Sequence, residues 1–154
     1  MKLSIGTAQF GFKYGICNKD GIVKKKEVKK IIDYCKLKKI GFIDTAQGYG
    51  KSHKVLGSFN LKKFSITSKI SKIKKINDKN LENHIFIEIN KILKELNINK
   101  LYGLLIHNTN HLKGRFGISL YKILQKLKKE KKFIKLGVSV YTKKELDFVL
   151  KNFT

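Results

Sequence analysis

Five short apolar segments alternate with five amphipathic segments along this chain, and this alternation limits the folds that it can adopt. The apolar segments have the length and composition of strands and cover residues 3–8, 42–44, 64–69, 101–106 and 134–140. Apolar residues recur at helical spacing in the segments 24–39, 52–56, 79–96, 120–127 and 142–150. Alternating strands and helices are typical of βαβ units, so we predict an α/β fold with a parallel sheet buried on both faces. Two architectures remain open, a doubly wound sheet and part of a (β/α) barrel.

The same pattern indicates one folding unit. The chain has 154 residues, enough for one domain with a core, and no proline or change of composition marks a linker. We therefore expect a single domain over residues 1–154. The glycines at 6–11, after the first predicted strand, lack the spacing of the dinucleotide-binding fingerprint and do not open a helix.

The composition carries a net charge of +24, and all but one of the 35 basic residues are lysines. Nucleic-acid sites also favour arginine, whose planar side chain forms paired hydrogen bonds with phosphate and guanine. Because the lysines are spread along every predicted helix, a nucleic-acid partner is not expected. No apolar run approaches the roughly 20 residues of a membrane span, and no signal peptide is recognisable. Cys17 and Cys35 have neither the spacing of a metal site nor that of a disulfide framework, so we expect a reduced, cytoplasmic protein.

Polar residues stand where the predicted strands end, although the strands themselves are largely apolar. These strand-end residues are Thr7, Asp44, Lys69, His107 and Ser139. In both architectures the functional side chains lie at the carboxyl ends of the parallel strands. Side-chain alternation places the last four of them on the inward face, and Tyr49 follows Asp44 on the next loop.

Each of these residues also has a purely structural interpretation. Asp44 could cap a helix, His107 could be a hydrogen-bonded core histidine, and Tyr49 could pack on the surface. Lys69 is one of many lysines, and only its place at the end of a buried strand distinguishes it. As a set they favour a functional site. The other histidines lie on helices or loops and are expected on the surface: His53, His84 and His111.

The set has a coherent chemistry. A lysine cation stabilises the phenolate of a neighbouring tyrosine, so Lys69 would make Tyr49 a better proton donor. Asp44 would offset the cost of burying the Lys69 charge. His107 would hydrogen-bond a carbonyl oxygen and orient it. These residues are suited to protonating a carbonyl oxygen while a cofactor delivers hydride to the carbon.

Five motifs resemble those of the aldo-keto reductases, in that family's order: GTAQFG at 6–11, FIDTA with YG at 42–50, TSK at 67–69, LLIHN at 104–108 and LGVSVY at 136–141. The resemblance implies a (β/α) TIM barrel, NADPH-dependent reduction of a small-molecule aldehyde or ketone, and no metal. It implies a catalytic tetrad of Asp44, Tyr49, Lys69 and His107, with Tyr49 as the general acid. It also places Thr7, Asp44 and Ser139 at the cofactor, and residues 10–14 in the carbonyl-substrate pocket.

Two features depart from this resemblance. Many members have Ser-Asn after the fifth strand, whereas here Val140 follows Ser139, so only the serine matches. The chain also holds about five of eight βα units, whereas a full barrel takes about 250 residues. We expect an incomplete barrel, with truncation as the first choice and a partner chain or self-association as other ways to complete it. The alternative function is a catalytically inactive remnant, or an assembly subunit that binds another protein chain through open barrel edges.

Overall fold

The computed structural model describes residues 3–74 and 77–153, in which five strands alternate with five α-helices. The strands are β1 (Ser4–Gly6), β2 (Phe42–Asp44), β3 (Ser65–Ile70), β4 (Leu101–Ile106) and β5 (Phe133–Val138). The helices are α1 (Lys25–Leu37), α2 (Ser52–Gly57), α3 (Asp78–Leu96), α4 (Gly114–Lys129) and α5 (Lys143–Asn152). Two short 3-10 helices cover Ala8–Phe10 and Thr109–Leu112.

The strands form one parallel sheet in the order β1-β2-β3-β4-β5. Gly6 lies opposite Asp44, Asp44 opposite Thr67, and Thr67 opposite Gly103. A doubly wound sheet reverses its strand order at a switch point, whereas a (β/α) barrel adds each strand beside the previous one. The observed order therefore selects the barrel architecture and confirms the predicted α/β fold of an incomplete barrel.

The helices cover the outer face of the sheet and enclose one hydrophobic core. Each fully buried leucine or isoleucine side chain contributes about 1.5–3 kcal/mol of hydrophobic stabilisation. Helix α3 supplies a stripe at the spacing of one helix face, and every side chain in it is less than 2% exposed: Leu81, Ile85, Ile89, Ile92 and Leu96. Strands and α4 complete the core with Ile43, Ile66, Leu104, Ile106, Leu120 and Leu124.

The inner face of the sheet is more open. Leu3, Phe42, Asp44 and Tyr102 line a cavity of about 370 Å³ on this face. The rings of Phe42 and Tyr102 meet edge to face with centroids 5.7 Å apart. Among the described residues, β1 and β5 each pair with a neighbour on one side only. This face of the sheet thus carries both aromatic and charged side chains.

Several element boundaries differ from the predicted ones, as in β1, which covers Ser4–Gly6 rather than residues 3–8. Helix α4 begins at Gly114 rather than residue 120, because Gly114, Arg115 and Gly117 interrupt the apolar spacing of its first turn. Strand β5 ends at Val138, so Ser139 lies at the start of the following loop. The two 3-10 helices were not predicted. In the part of the chain that the structure describes, no helix is long and apolar enough to cross a membrane.

Candidate active site

The loop after β2 carries Tyr49 and is anchored to β3. The backbone N–H of Thr45 donates to Thr67 O at 2.9 Å, so pairing with β3 continues beyond Asp44. The Tyr49 N–H donates to Ala46 O at 3.0 Å and closes a turn. Asp44 and Tyr49 are therefore held at one end of the sheet by backbone hydrogen bonds.

The backbone conformation at position 50 explains why a glycine follows Tyr49. Its φ is +55°, a left-handed conformation that side chains with a Cβ adopt only with strain. A Cβ here would also lie 2.5 Å from Gly11 O, on the loop after β1. The close contact between these two loops fixes where the chain leaves Tyr49.

Lys69 is the centre of the site. Its Nζ lies 2.5 Å from Asp44 Oδ2, 3.2 Å from Thr45 O and 3.3 Å from Tyr49 Oη. Lys69 is 6% exposed, and these three acceptors match the three N–H donors of an ammonium group. Hydrogen bonding and the Asp44 charge offset the cost of removing the Lys69 cation from water.

His107 approaches the same centre from β4. Its backbone N–H donates to Ile70 O at 3.0 Å, and its ring lies edge to face with Tyr49 at a centroid distance of 5.9 Å. Burial lowers the pKa of His107 and the Lys69 cation lowers it further, while the Asp44 carboxylate acts in the opposite direction. The imidazole is therefore neutral at pH 7, with one nitrogen able to donate a hydrogen bond and the other able to accept one.

Thr7 lies beneath the site rather than on its open surface. The side chain is fully buried, and Oγ1 donates to Asp44 O at 3.0 Å. The Ser52 hydroxyl donates to Thr7 Oγ1 at 3.0 Å. These contacts support the end of β2. A direct contact between Thr7 and a cofactor stays a prediction.

Ser139 lies at the rim of the site beside His107. Its backbone N–H donates to Ile106 O at 2.9 Å, and both Ser139 and His107 line a cavity of about 450 Å³. Glu145 holds this loop, because its carboxylate accepts from Tyr141 N at 2.7 Å and from Thr109 Oγ1 at 2.7 Å. The hydrogen bond from Tyr141 and then that from Thr109 lower the pKa of Glu145.

The surface prediction for the remaining histidines is wrong for His53, which is 2% exposed. Its Nε2 lies 2.9 Å from Ser68 Oγ, and its Nδ1 lies 3.6 Å from Glu95 Oε2. Burial lowers the pKa of His53 to about 4, against the opposing effect of Glu95. The sequence contains a signal that could have found this, since His53 and the buried Leu56 are three residues apart on one helix face. His84 and His111 are half-buried.

The structure thus brings four predicted residues to one point, namely Asp44, Tyr49, Lys69 and His107, with Ser139 at the rim and Thr7 below. Lys69 contacts both the Asp44 carboxylate and the Tyr49 phenol, and groups arranged in this way can share and transfer a proton. Their catalytic roles remain predictions. Among residues 3–74 and 77–153, no cluster of three or more His, Cys, Asp or Glu side chains could hold a metal ion.

Several solved structures have the same fold as this chain and belong to proteins that are longer than it. A structure from Pseudomonas aeruginosa assigned to the aldo-keto reductases has a TM-score of 0.75 at 22% identity, over 97% of this chain and 59% of that one. A glycerol dehydrogenase from Gluconobacter oxydans has a TM-score of 0.67 at 21% identity, over 96% of this chain and 47% of that one. An aldo-keto reductase from Klebsiella pneumoniae in complex with NADPH has a TM-score of 0.57 at 20% identity, over 73% of this chain and 38% of that one.

The chain spans less than two thirds of the length of each of these structures. No curated protein sequence matches it significantly. A sequence model of the aldo/keto reductase family matches residues 2–153, which is almost the whole chain. The resemblance predicted from the five motifs is therefore confirmed, and the chain belongs to the aldo/keto reductase family.

Proposed function

We propose that this chain carries the catalytic part of an NADPH-dependent oxidoreductase that reduces an aldehyde or ketone to an alcohol. The observation that supports this function is the contact of Lys69 Nζ with Asp44 Oδ2 at 2.5 Å and with Tyr49 Oη at 3.3 Å. A buried cation in contact with a phenol is suited to proton donation, because it stabilises the phenolate that remains.

Tyr49 donates its proton to the carbonyl oxygen of the substrate. The Lys69 ammonium group faces both the phenol oxygen and, at 4.9 Å, the ring of Tyr49, so it stabilises the negative charge that develops there. Asp44 holds Lys69 in place through their ion pair. His107 is neutral and lies beside Tyr49, so its ring is placed to hydrogen-bond the same carbonyl oxygen and orient it.

An aromatic wall borders the proton donor on the side of the loop after β1. The rings of Phe12 and Tyr49 lie 6.2 Å apart, and those of Phe12 and Tyr14 lie 5.5 Å apart. Such a wall excludes water and favours carbonyl substrates with an apolar group next to the carbonyl carbon.

The residues present fit the reacting end of a nicotinamide cofactor. Asp44 is 36% exposed at the mouth of the sheet, and the cavity of about 450 Å³ beside His107 is lined with the hydroxyl and amide groups of Ser139 and Asn108. Such groups can hold a ribose hydroxyl and a carboxamide by hydrogen bonds. When bound, NADPH supplies the hydride that reduces the carbonyl carbon. The NADPH complex of the Klebsiella pneumoniae relative supports this choice of cofactor.

A spectrophotometric assay tests the function directly. The purified chain is mixed with NADPH and a panel of aliphatic and aromatic aldehydes, and NADPH oxidation is followed at 340 nm. Tyr49→Phe removes the proton donor, so we expect kcat to fall by about 10²–10⁴-fold, the usual contribution of general acid catalysis. Tyr34→Phe is the matched control, because Tyr34 is 57% exposed on α1 and lies outside the site.

Two results would contradict the proposal. One is the absence of NADPH oxidation by the wild-type chain with every aldehyde tested, which would favour a catalytically inactive chain. The other is equal activity of the wild type and Tyr49→Phe, which would remove Tyr49 from the chemistry.

A further inference from the structure

We propose that Gln47 is a positioning residue, which fixes the loop carrying Tyr49 against the end of β3 and thereby sets the geometry among Tyr49, Lys69 and His107. Its kinetic consequence rests on the function proposed above, whereas its structural consequence does not. Gln47 lies two residues before Tyr49 and was not among the predicted site residues.

The Gln47 side chain joins three parts of the fold. Its Oε1 accepts hydrogen bonds from the backbone N–H groups of Ser71 at 3.1 Å and Lys72 at 2.9 Å. Its Nε2 donates to the carboxylate of Glu88 on α3. Its backbone N–H donates to Lys69 O at 2.9 Å. One half-buried amide therefore links the Tyr49 loop to the chain after Lys69 and to the helix behind it.

The residue that follows Gln47 lies close to the candidate catalytic centre. A Cβ on Gly48 would lie 3.3 Å from His107 Cε1 and 3.6 Å from Ser71 Oγ, so the loop passes directly against the histidine ring. A shift of this loop would move Tyr49 relative to both Lys69 and His107. Misplacement of reacting groups by about 1 Å can reduce rates about 10²-fold, so a tether here affects the chemical step.

An amide is the group that suits this position. The two backbone N–H groups require an acceptor, and Glu88 requires a donor. A leucine has a similar size but provides neither. A glutamate still accepts from Ser71 and Lys72, but it places a second carboxylate against Glu88 and loses the donor.

Reversing the direction of the hydrogen bond between residues 47 and 88 gives a specific test. Gln47→Glu removes the donor, and the double variant Gln47→Glu/Glu88→Gln restores a hydrogen bond between positions 47 and 88 in the opposite direction. Gln47→Leu removes all the side-chain hydrogen bonds. Gln125→Leu makes the same chemical change at an exposed position of α4 and serves as the control.

The primary measurement is nuclear magnetic resonance on ¹⁵N-labelled protein, which requires no catalysis. We expect Gln47→Leu and Gln47→Glu to shift the Gly48 amide and the His107 ring resonances, and the double variant to return them toward the wild-type positions. Gln125→Leu is expected to leave them unchanged. Unshifted resonances in Gln47→Leu, or no recovery in the double variant, would overturn the proposal.

If the chain reduces aldehydes, kinetics provides a second measurement. Gln47→Leu is expected to lower kcat by about tenfold or more while KM changes little, because the tether affects the placement of Tyr49 rather than substrate binding. A raised KM with unchanged kcat would overturn the positioning role. If the wild type oxidises no NADPH, the proposed function fails while the resonance shifts still decide whether Gln47 holds the loop.

Discussion

Among single residues, His53 shows how burial controls ionisation in this molecule. The ring is 2% exposed between Ser68 and Glu95, and its pKa is lowered to about 4 from 6.5. The folded chain therefore holds His53 neutral at pH values at which an exposed histidine in the unfolded chain is already protonated. Between these two pKa values the unfolded state binds more protons, so stability rises with pH.

This difference predicts a pH dependence of stability. The free energy of unfolding should increase between pH 4 and pH 6.5 and level off above, and it should lose up to about 3 kcal/mol as pH falls through that window. Replacing His53 with glutamine keeps a polar group for Ser68 but removes the titrating group. The slope of the unfolding free energy against pH should therefore be smaller in this variant. Urea unfolding followed by circular dichroism at intervals of half a pH unit provides the measurement.

The control for this experiment is Asn83→Gln, which changes an exposed side chain of α3 that does not titrate. Its unfolding free energy should depend on pH as that of the wild type does. Burial also lowers the pKa of His107, so some slope in the same direction should persist in His53→Gln. A His53→Gln slope as steep as that of the wild type would show that His53 does not carry the effect.

The sequence could identify some of these residues and not others. Asp44, Lys69 and His107 were predictable because strand ends in a parallel sheet converge on one edge, whatever the details of packing. The contacts of His53 and Gln47 were not predictable, because they depend on which side chains the helices bring to meet these residues. Glu95 and Glu88, both on α3, lie about forty residues from these partners in sequence.

Among secondary-structure elements, the contact between α2 and α3 depends on a glycine. Gly57 ends α2, and a Cβ at this position would lie 2.1 Å from Glu95 O and 2.9 Å from the carbonyl carbon of Leu96. Both are backbone atoms of α3, so the two helices would have to separate. The same contact brings His53 to Glu95.

Gly57→Ala should therefore destabilise the fold by about 1–3 kcal/mol, the usual cost of adding a methyl group to a tightly packed contact. Gly6→Ala is the matched control, because a Cβ on Gly6 would meet no atom within 4 Å. We expect the control to stay within about 0.5 kcal/mol of the wild type in urea unfolding. Equal stability of the two variants would mean that the helices adjust without cost.

The strands and long helices could be predicted because their apolar spacing is regular, as in the buried stripe of α3. The 3-10 helix Ala8–Phe10 could not, since it is defined by backbone hydrogen bonds from Phe10 N to Thr7 O and from Gly11 N to Ala8 O. Three residues are too few to show a period. The loops that shape the site therefore emerge only from the structure.

For the whole molecule, charge is the dominant feature. The net charge of +24 is spread over 154 residues, and exposed ion pairs neutralise only some of the lysines, such as Lys29 with Asp33 at 2.6 Å and Lys126 with Glu82 at 2.5 Å. Pairs this exposed contribute little to stability, because solvent screens the attraction between their charges. Repulsion among the remaining lysines opposes the compact state, because folding brings these charges closer together.

Salt should therefore stabilise this protein. The screening length falls from about 30 Å at 0.01 M salt to about 8 Å at 0.15 M, so repulsion among surface lysines weakens while the partly buried Lys69–Asp44 pair is screened less. We expect the urea midpoint of unfolding to rise as NaCl increases over this range. Replacing Lys122, Lys128 and Lys129 on the exposed face of α4 with glutamine lowers the net charge by three units and should reduce the rise. A midpoint that is constant or falls with salt would show that self-repulsion does not limit the stability of this fold.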